Sequence, residues 1–312
     1  MNRALTLAFF LAAASVGAQS DTAATVFRIG PLQVIHQKRT GSQAVSAQLF
    51  LLGGARQVTS RNAGIEPLVL RAAQFGSKQY PGAATARALG RTGSSISVDA
   101  RDDWTVYSLN TIRQEFDSAW AVFADRVVAP TLDYEGVVAA RRLMLAELVS
   151  AATNPDFLLR QAARPIGYAR HPYANDPGGS DASLRALNAS GVSAYQRAQF
   201  VQSRMLLVVV GNLERATIER LVPPTLGTLP AGDYVWTLPP PVPLGKTSMT
   251  IIPRQMATDY IIGIYPGPLA NTRDYGPFRL GTGLLGAFLN YNIREKEKLS
   301  YAAYSPMYDN AA

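Results

Sequence analysis

Apolar residues alternate with polar ones in some segments of the chain, whereas in others they recur every three or four positions. The first spacing is typical of strands with one buried face, and the second is typical of helices packed on a core. The predicted strands cover residues 26–35, 43–53, 94–100, 105–109 and 205–210. The predicted helices cover residues 65–75, 83–89, 115–128, 134–152, 157–166, 181–199 and a short stretch that ends near Val222.

Several of these elements have recognisable ends. Asp133 precedes the helix at 134–152 and is placed to cap it, because a carboxylate there can accept from the first free backbone N–H groups. The strands at 94–100 and 105–109 flank a polar turn, Arg101-Asp102-Asp103. Residues 205–210 form the most apolar run after the N-terminal segment, and this run predicts a fully buried central strand.

A proline-rich segment at residues 223–243 divides the chain, since it holds seven of the 20 prolines. Such a segment is stiff and extended, which is typical of a linker between domains. After it, predicted strands at 247–252 and 260–265 and a predicted helix at 275–293 restart the order seen at the N-terminus. We therefore predict an internal duplication, with a first half-domain at 25–222, a linker at 223–244 and a partial second half-domain at 245–312.

The N-terminal segment has the three parts of a secretory signal peptide. Arg3 precedes the uncharged, apolar residues 4–14, and the small residues Val16-Gly17-Ala18 follow as a cleavage region. We predict that residues 1–18 are a signal peptide and that the mature chain is exported, to the periplasm or outside the cell.

Composition narrows the classes of function. Hydrophobic residues make up 47% of the 312 positions, enough to bury at least one core, and the absence of cysteine excludes disulfides and thiolate metal sites. The formal charge of +8 is spread along the chain, which indicates a solvated surface or an anionic partner such as a membrane face or an acidic peptide. Nucleic acid is not an expected partner, because no basic and aromatic recognition motif is present.

The residues that usually carry catalysis are sparse. The chain has two histidines, His36 and His171, and neither has a carboxylate or a second histidine at the spacing of metal ligands. A Gly-rich run at 281–286 fits the letters of a dinucleotide-binding motif but follows no buried strand, so close helix packing is the better interpretation. Glu147 lies on or beside the apolar face of its helix, where a carboxylate needs a partner.

A series of short motifs resembles the pitrilysin/insulinase family of zinc peptidases, in the branch of mitochondrial processing peptidase and its bacterial relatives. The resemblance runs from about Leu49 to Ser305. It implies an α+β fold of two homologous half-domains, each an antiparallel sheet with helices, the second of them truncated. The motifs, in the order and spacing of the family, are Gly54-Ala55-Arg56, Asn62-Ala63-Gly64-Ile65, 76–81 (GSKQYP), Ala129-Pro130-Thr131-Leu132, Asn154-Pro155-Asp156, His171-Pro172-Tyr173 and 205–211.

The chain departs from this family at the zinc site. Active members carry HxxEH on the first helix, where the two histidines bind zinc and the glutamate is the general base. The five corresponding positions read Pro67-Leu68-Val69-Leu70-Arg71, so the resemblance implies a degenerate site in which Pro67, Leu70 and Arg71 replace both ligands and the base. The third ligand of the family corresponds to Glu147, a remnant that we expect to form an ion pair with Arg71.

The second half retains another feature of the family. Residues 294–301 resemble the segment of the family whose Arg and Tyr bind substrate and help to stabilise the oxyanion. The resemblance therefore assigns substrate binding to Arg294 and Tyr301. It assigns catalysis to no residue of this chain. It implies an inactive subunit that binds peptide substrate beside an HxxEH-bearing partner, which holds the zinc. The alternatives are a non-catalytic scaffold that binds peptides or proteins by strand addition, and a truncated pseudo-peptidase.

Overall fold

The computed structural model describes residues 23–242, 247–255, 258–308 and 310–311, so the predicted signal peptide lies outside the described residues. Six strands form one sheet with the order β1-β2-β6-β3-β5-β4. The strands are β1 (Thr25–Ile29), β2 (Leu32–Lys38), β3 (Ala44–Leu52), β4 (Ser95–Ala100), β5 (Trp104–Ile112) and β6 (Met205–Gly211).

The sheet is mixed, so the prediction of a wholly antiparallel sheet is wrong at one pairing. β6 runs antiparallel to β3 but parallel to β2, with Gln33 opposite Leu206. A parallel pair needs a long crossover connection, and the segment between β2 and β6 provides one that contains most of the helices. The prediction of a central strand is confirmed, because β6 lies between β2 and β3. Its burial is complete at alternate residues and partial at the others, so the strand is not fully buried as predicted.

Helices cover most of the remaining residues up to the linker. They are α1 (Ile65–Ala72), α2 (Ala84–Thr92), α3 (Phe116–Val128), α4 (Tyr134–Ala151), α5 (Pro155–Gly167), α6 (Asp181–Ala186), α7 (Ala189–Gln199), α8 (Arg215–Leu221) and, after the linker, α9 (Tyr275–Leu289). The predicted N-cap of α4 is confirmed, since Asp133 Oδ1 accepts from the Gly136 N–H at 2.7 Å. Among the described residues, no helix combines the length and the apolar character that crossing a membrane requires.

Two predicted elements are each divided in the structure. The strand predicted at 26–35 is a hairpin of β1 and β2, because Gly30 adopts a positive φ of 58° that turns the chain back. The helix predicted at 181–199 is α6 followed by α7. Asn188 separates them, because its side chain accepts from the Gly191 N–H at 2.8 Å and so starts a new helix.

The core lies between the sheet and the helices that pack on it. Alternate residues of β3 are buried, and α1 and α3 supply apolar side chains opposite them. The ring of Tyr107 on β5 stacks on Phe123 of α3 at a centroid distance of 4.8 Å, and burial raises the pKa of Tyr107 to about 12. This stacking packs α3 against the sheet.

A buried ion pair holds α1 against the residues that precede β6. Arg204 Nη2 lies 2.6 Å from Glu66 Oε2, and the two side chains are only 1% and 4% exposed. Tyr195 on α7 donates its hydroxyl to the same carboxylate oxygen at 3.0 Å, and Arg204 Nε donates to the Leu52 carbonyl at 2.7 Å. The network therefore joins α1, α7 and the sheet one residue before the Pro67 position.

After the linker, the predicted strands at 247–252 and 260–265 are wrong, since no strand is assigned to the described residues of either segment. Met249, Ile251 and Ile261 are 78% to 93% exposed. A strand needs a hydrogen-bonded neighbour and an apolar face to pack on, and neither segment has either among the described residues. The helix predicted at 275–293 is α9 followed by π-helical turns at Asn290–Lys296, and none of the 15 residues of α9 is buried.

Candidate functional site

A cleft of about 290 Å³ lies where α1, β4, α4 and α5 meet. Pro67 and Arg71 from α1 line one side, and Glu147 from α4 lines another. The remaining lining residues are Val98, Asp99, Ala100, Met144, Leu148, Ala151, Phe157, Gln161, Asp176, Gly178 and Gly179. Of the positions that the sequence identifies as a degenerate zinc site, Pro67, Arg71 and Glu147 therefore line a concavity.

Arg71 and Glu147 form an ion pair in this cleft, as the sequence predicts. Arg71 Nη1 donates to both carboxylate oxygens of Glu147, at 2.6 Å and 2.7 Å. The two side chains are 27% and 59% exposed, so water screens the pair in part. Arg71 and Glu147 are 76 positions apart in the sequence, and this spacing is the reason for comparing them with two zinc ligands of the family. The structure brings the two residues into contact.

The three degenerate positions of α1 do not share one face. Pro67 and Arg71 are four residues apart and both line the cleft, as helical spacing requires. Pro67 is tolerated in the first turn of α1, where no intrahelical partner exists for a backbone N–H. Leu70 is wholly buried in the core and is not among the residues that line the cleft.

The side chains at this site do not fit the zinc ion of the family. Zinc requires deprotonated nitrogen, sulfur or oxygen ligands, whereas Pro67 has no donor and Arg71 carries a fixed positive charge. Within the described ranges, no group of three His, Cys, Asp or Glu residues converges as metal ligands. The groups that line the cleft can accept and donate hydrogen bonds to a bound chain, but they include no histidine.

An open edge of the sheet borders the cleft. Among the described residues, β4 is the last strand in the order, and β5 is the strand that pairs with it. Val98, Asp99 and Ala100 from this strand line the cleft. The free edge of such a strand presents N–H and C=O groups to which an extended peptide can hydrogen-bond.

A buried polar cluster lies directly after β4, where the sequence indicates only a polar turn. Arg164 on α5 donates to Asp102 Oδ1 at 2.7 Å, and the Tyr173 hydroxyl donates to Asp103 Oδ1 at 2.5 Å. Burial raises the pKa of Asp102, and hydrogen bonding to Arg164 offsets part of that rise. No local signal distinguishes these aspartates from solvated turn residues, because their partners lie about 60 to 70 residues away.

Segments from the C-terminal part of the chain contact this cluster. Asn310 Nδ2 donates to Asp102 Oδ2 at 3.0 Å, and the Ala311 N–H donates to Asp103 Oδ2 at 2.7 Å. In the linker, the Pro240 carbonyl lies 2.9 Å from His171 Nε2. The turn after β4 is therefore a point of contact between the predicted halves of the chain.

Arg294 and Tyr301 lie on the surface, outside the cleft. Arg294 is in the π-helical turns after α9 and forms an ion pair of 3.5 Å with Glu295, and Tyr301 is 95% exposed. Within the described part of the chain, no hydrogen bond or ion pair joins the two residues. Their assignment to substrate binding stays a prediction.

The Gly-rich run and the two histidines lie at positions where the structure gives each of them a packing role. The Gly-rich run at 281–286 lies within α9 and not at a turn between a strand and a helix, so it lacks the geometry of a dinucleotide site. His36 is buried in β2, and this burial lowers its pKa. His171 is 4% exposed and precedes a short 3-10 turn at Pro172–Ala174.

Two sequence profiles of one peptidase family match consecutive parts of the chain. The profile described as "Insulinase (Peptidase family M16)" matches residues 33–176, and that described as "Peptidase M16 inactive domain" matches residues 186–311. The division between them is not a division of the fold, because β6 belongs to the second match and lies between two strands of the first.

The curated proteins that the chain resembles are named as subunits. The chain is 18% identical over 257 residues to mitochondrial-processing peptidase subunit beta from Blastocladiella emersonii, covering 82% of the chain. It is 22% identical over 190 residues to cytochrome b-c1 complex subunit 1 from Homo sapiens and 26% over 139 residues to mitochondrial-processing peptidase subunit alpha from Solanum tuberosum, covering 60% and 44% of the chain. It spans 55%, 40% and 27% of the length of these relatives.

Solved structures share the fold. A peptidase M16 inactive domain from Pseudomonas fluorescens superposes with a TM-score of 0.74 at 19% identity, covering 90% of this chain and 70% of that one. A protease from Helicobacter pylori gives 0.73 at 17% identity, covering 92% and 71%. With two family profiles matched in sequence and these folds shared, the chain belongs to the insulinase peptidase family M16, among relatives of mitochondrial processing peptidase.

Proposed function

We propose that this chain is a non-catalytic subunit of an exported zinc metallopeptidase, periplasmic or secreted, that binds peptide beside an HxxEH-bearing partner of the same family. The observation that carries the proposal is the ion pair of Arg71 with Glu147 in the cleft. A guanidinium there occupies the side of the cleft from which the family's second histidine would bind zinc. The zinc of the proposed enzyme therefore belongs to the partner.

The chemistry of the cleft supports loss of catalysis with retention of binding. Peptide hydrolysis by this family needs a polarised water and a general base, which the HxxEH motif supplies. Pro67 and Arg71 provide neither, yet the cleft remains open, with a volume of about 290 Å³. A site that has lost its reactive groups but not its shape is suited to holding a chain.

The free edge of β4 supports an extended peptide as the bound species. Backbone hydrogen bonds to an edge strand give affinity without a fixed sequence, and neighbouring pockets select side chains. Met144, Leu148 and Phe157 give the cleft an apolar part, and Asp99 and Asp176 give it an acidic part. The proposed ligand is thus a peptide laid along β4.

The exposure of Arg294 and Tyr301 supports a role across a subunit interface. Tyr301 is 95% exposed, and the Arg294 side chain is 51% exposed. A cation and a phenol are suited to holding a peptide backbone and a developing oxyanion. We propose that these two side chains reach the zinc site of the partner.

The names of the relatives support a partner of the same family. Mitochondrial-processing peptidase appears among them as a subunit alpha and a subunit beta, and the cytochrome b-c1 relative is likewise a subunit of a complex. Since the chain spans 27% to 55% of these proteins, their activities are not carried over whole. The names of these relatives support an assembly that contains more than one chain.

The proposal is tested by co-expressing the chain with an HxxEH-bearing family member from the same genome and assaying peptide cleavage. Arg294→Ala and Tyr301→Ala are each expected to lower the rate of the complex by at least about tenfold, which corresponds to 1.4 kcal/mol of transition-state stabilisation. Arg273→Ala and Tyr304→Ala are matched controls at exposed positions and are expected to leave the rate unchanged. Equal rates for all four variants would contradict the shared site.

A second candidate function is a scaffold that binds peptides by strand addition without any role in cleavage. The open edge of β4 favours it independently of Arg294 and Tyr301. The two functions differ in one result: a scaffold binds peptide, and its removal leaves the partner's cleavage rate unchanged.

A further inference from the structure

Two aspartates in the turn after β4 bind a segment from the C-terminal part of the chain. Asn310 Nδ2 donates to Asp102 Oδ2 at 3.0 Å, and the Ala311 N–H donates to Asp103 Oδ2 at 2.7 Å. The two aspartates are 9% and 2% exposed, whereas Asn310 and Ala311 are half-buried. The 310–311 segment is therefore docked on acceptors that belong to the first half-domain.

The other oxygen of each carboxylate is held from within the first half-domain. Arg164 Nη1 donates to Asp102 Oδ1 at 2.7 Å, and the Tyr173 hydroxyl donates to Asp103 Oδ1 at 2.5 Å. Arg164 also donates to the Tyr173 carbonyl at 2.6 Å, which joins the two donors to each other. These bonds do not depend on the 310–311 segment, so its departure leaves both carboxylates in place with one free oxygen each.

This docking point adjoins the peptide cleft at two places. Ala100 lines the cleft, and Asp102 follows it two positions later in the turn. On α5, Gln161 lines the cleft and Arg164 lies one turn further along the same face, since residues three apart on a helix are neighbours. The 310–311 segment therefore lies at the end of the cleft where β4 ends.

We propose that the 310–311 segment is an autoinhibitory strap, which closes this end of the cleft and leaves when a peptide binds along β4. A peptide that pairs with the free edge of β4 and continues past Ala100 reaches the same turn. The strap rests on the proposed function, because it regulates the peptide site described there.

A bound peptide can replace the strap without leaving a buried acceptor unpaired. Every residue of a peptide other than proline offers a backbone N–H, which is the group that Ala311 offers to Asp103. An exchange of one N–H donor for another changes the free energy little, whereas a buried carboxylate oxygen without a donor is destabilising. Neither Asn310 nor Ala311 carries a charged side chain, so no ion pair holds the strap at these two residues.

The strap is tested by the affinity of the full chain for a peptide long enough to reach it. The probe is a fluorescein-labelled peptide of about ten residues, longer than the six residues of β4, in which Val and Lys alternate. Valine suits the apolar side chains of the cleft, and lysine suits its aspartates. Fluorescence anisotropy gives the Kd of each variant for this peptide.

Two substitutions each remove one donor of the strap without a change in charge. Asn310→Ala removes the side-chain amide, and Ala311→Pro removes the backbone N–H. We expect each to tighten peptide binding by about tenfold, because a hydrogen bond to a charged group contributes at least that factor to the docked state with which the peptide competes. Asn271→Ala, at an exposed asparagine before α9, is the matched control and should leave the Kd unchanged.

A second measurement follows the strap itself. The chain has no native cysteine, so Tyr308→Cys, at a side chain that is 59% exposed, takes a single nitroxide label. Electron paramagnetic resonance should show an immobilised label in the free chain and a mobile label once peptide is added to saturation. When Tyr308→Cys is combined with Ala311→Pro, the label should be mobile without peptide.

The outcomes separate the strap from the peptide site. Peptide binding with the same Kd in the parent, Asn310→Ala and Ala311→Pro overturns the strap and leaves the proposed function standing. A label that stays immobilised when peptide is bound also overturns the strap. No binding by any of the three chains contradicts the peptide site and, with it, the strap.

Discussion

Arg71 on α1 donates from one guanidinium nitrogen to both carboxylate oxygens of Glu147 on α4, at 2.6 Å and 2.7 Å. The sequence comparison places these two positions at zinc ligands of the family, and that correspondence stays a prediction. The structure brings the two positions into direct contact, and the Arg71 cation neutralises the Glu147 carboxylate.

This pair contributes little to stability, because both side chains reach water. Glu147→Gln is expected to lower the free energy of unfolding by no more than about 1 kcal/mol. The pair of Arg220 with Asp117 is a suitable control, since its distance is also 2.6 Å and its side chains are 58% and 56% exposed. Urea denaturation of Glu147→Gln and Asp117→Asn should give similar small losses, and a loss of several kcal/mol at Glu147 alone would show that the pair is structural.

The buried pair of Glu66 with Arg204 behaves differently. Arg204→Met leaves a carboxylate without its cation in a site that is 4% exposed, so we expect a loss of about 3–5 kcal/mol in the free energy of unfolding. Glu66→Gln combined with Arg204→Met removes both charges and should recover most of that loss. If the double variant is no more stable than Arg204→Met, the unpaired charge is not the cause.

A zinc site can be restored if the cleft retains its former geometry. Pro67→His with Arg71→His places two imidazoles four residues apart on α1, facing Glu147. We expect this variant to bind one Zn²⁺ per chain by isothermal titration calorimetry, with a gain of about 2.7 kcal/mol in unfolding free energy at a zinc concentration of 100 Kd. The parent chain should bind none at this site.

The control for the restored site removes the third ligand. Adding Glu147→Gln to the two histidine substitutions should weaken zinc binding by at least about tenfold, because zinc requires a deprotonated oxygen there. Equal affinity with and without Glu147 would mean that this carboxylate is not at the ligand position.

Asp102 gives a prediction for the dependence of stability on pH. Burial raises its pKa above the unfolded value of 3.8, so between the two values the folded chain binds the proton more readily than the unfolded chain. This group therefore contributes stability that rises as the pH falls from its folded pKa toward 3.8. Relative to Asp102→Asn, the parent should gain unfolding free energy over that window, and a parallel pH dependence for both chains would exclude the raised pKa.

The sequence predicts local elements well where the cause is local. The apolar run at 205–210 identifies β6 as central, and Asp133 predicts the start of α4, because an apolar strand and a helix N-cap depend on residues that are neighbours in the sequence. The turn at Gly30 is missed because a short hairpin resembles one continuous apolar strand. The two strands predicted after the linker fail because a strand also needs a partner, which local composition does not reveal.

The candidate site is predictable in part for the same reason. The spacing of Arg71 and Glu147, compared with the family's motif, predicts their contact. The cluster of Asp102 and Asp103 is not predictable, because Arg164, Tyr173 and the C-terminal residues that bury it are distant in sequence. Burial of a polar turn is decided by tertiary packing.

In the proposed function, this chain binds peptide but depends on a partner for hydrolysis. The most direct measurement is the cleavage rate of a fluorogenic peptide by the purified chain alone, by the HxxEH-bearing partner alone and by the two together, with and without a zinc chelator. We expect cleavage only by the two chains together, and we expect the chelator to abolish it. Chelator-sensitive cleavage by this chain alone, or an equal rate by the partner alone, would contradict it.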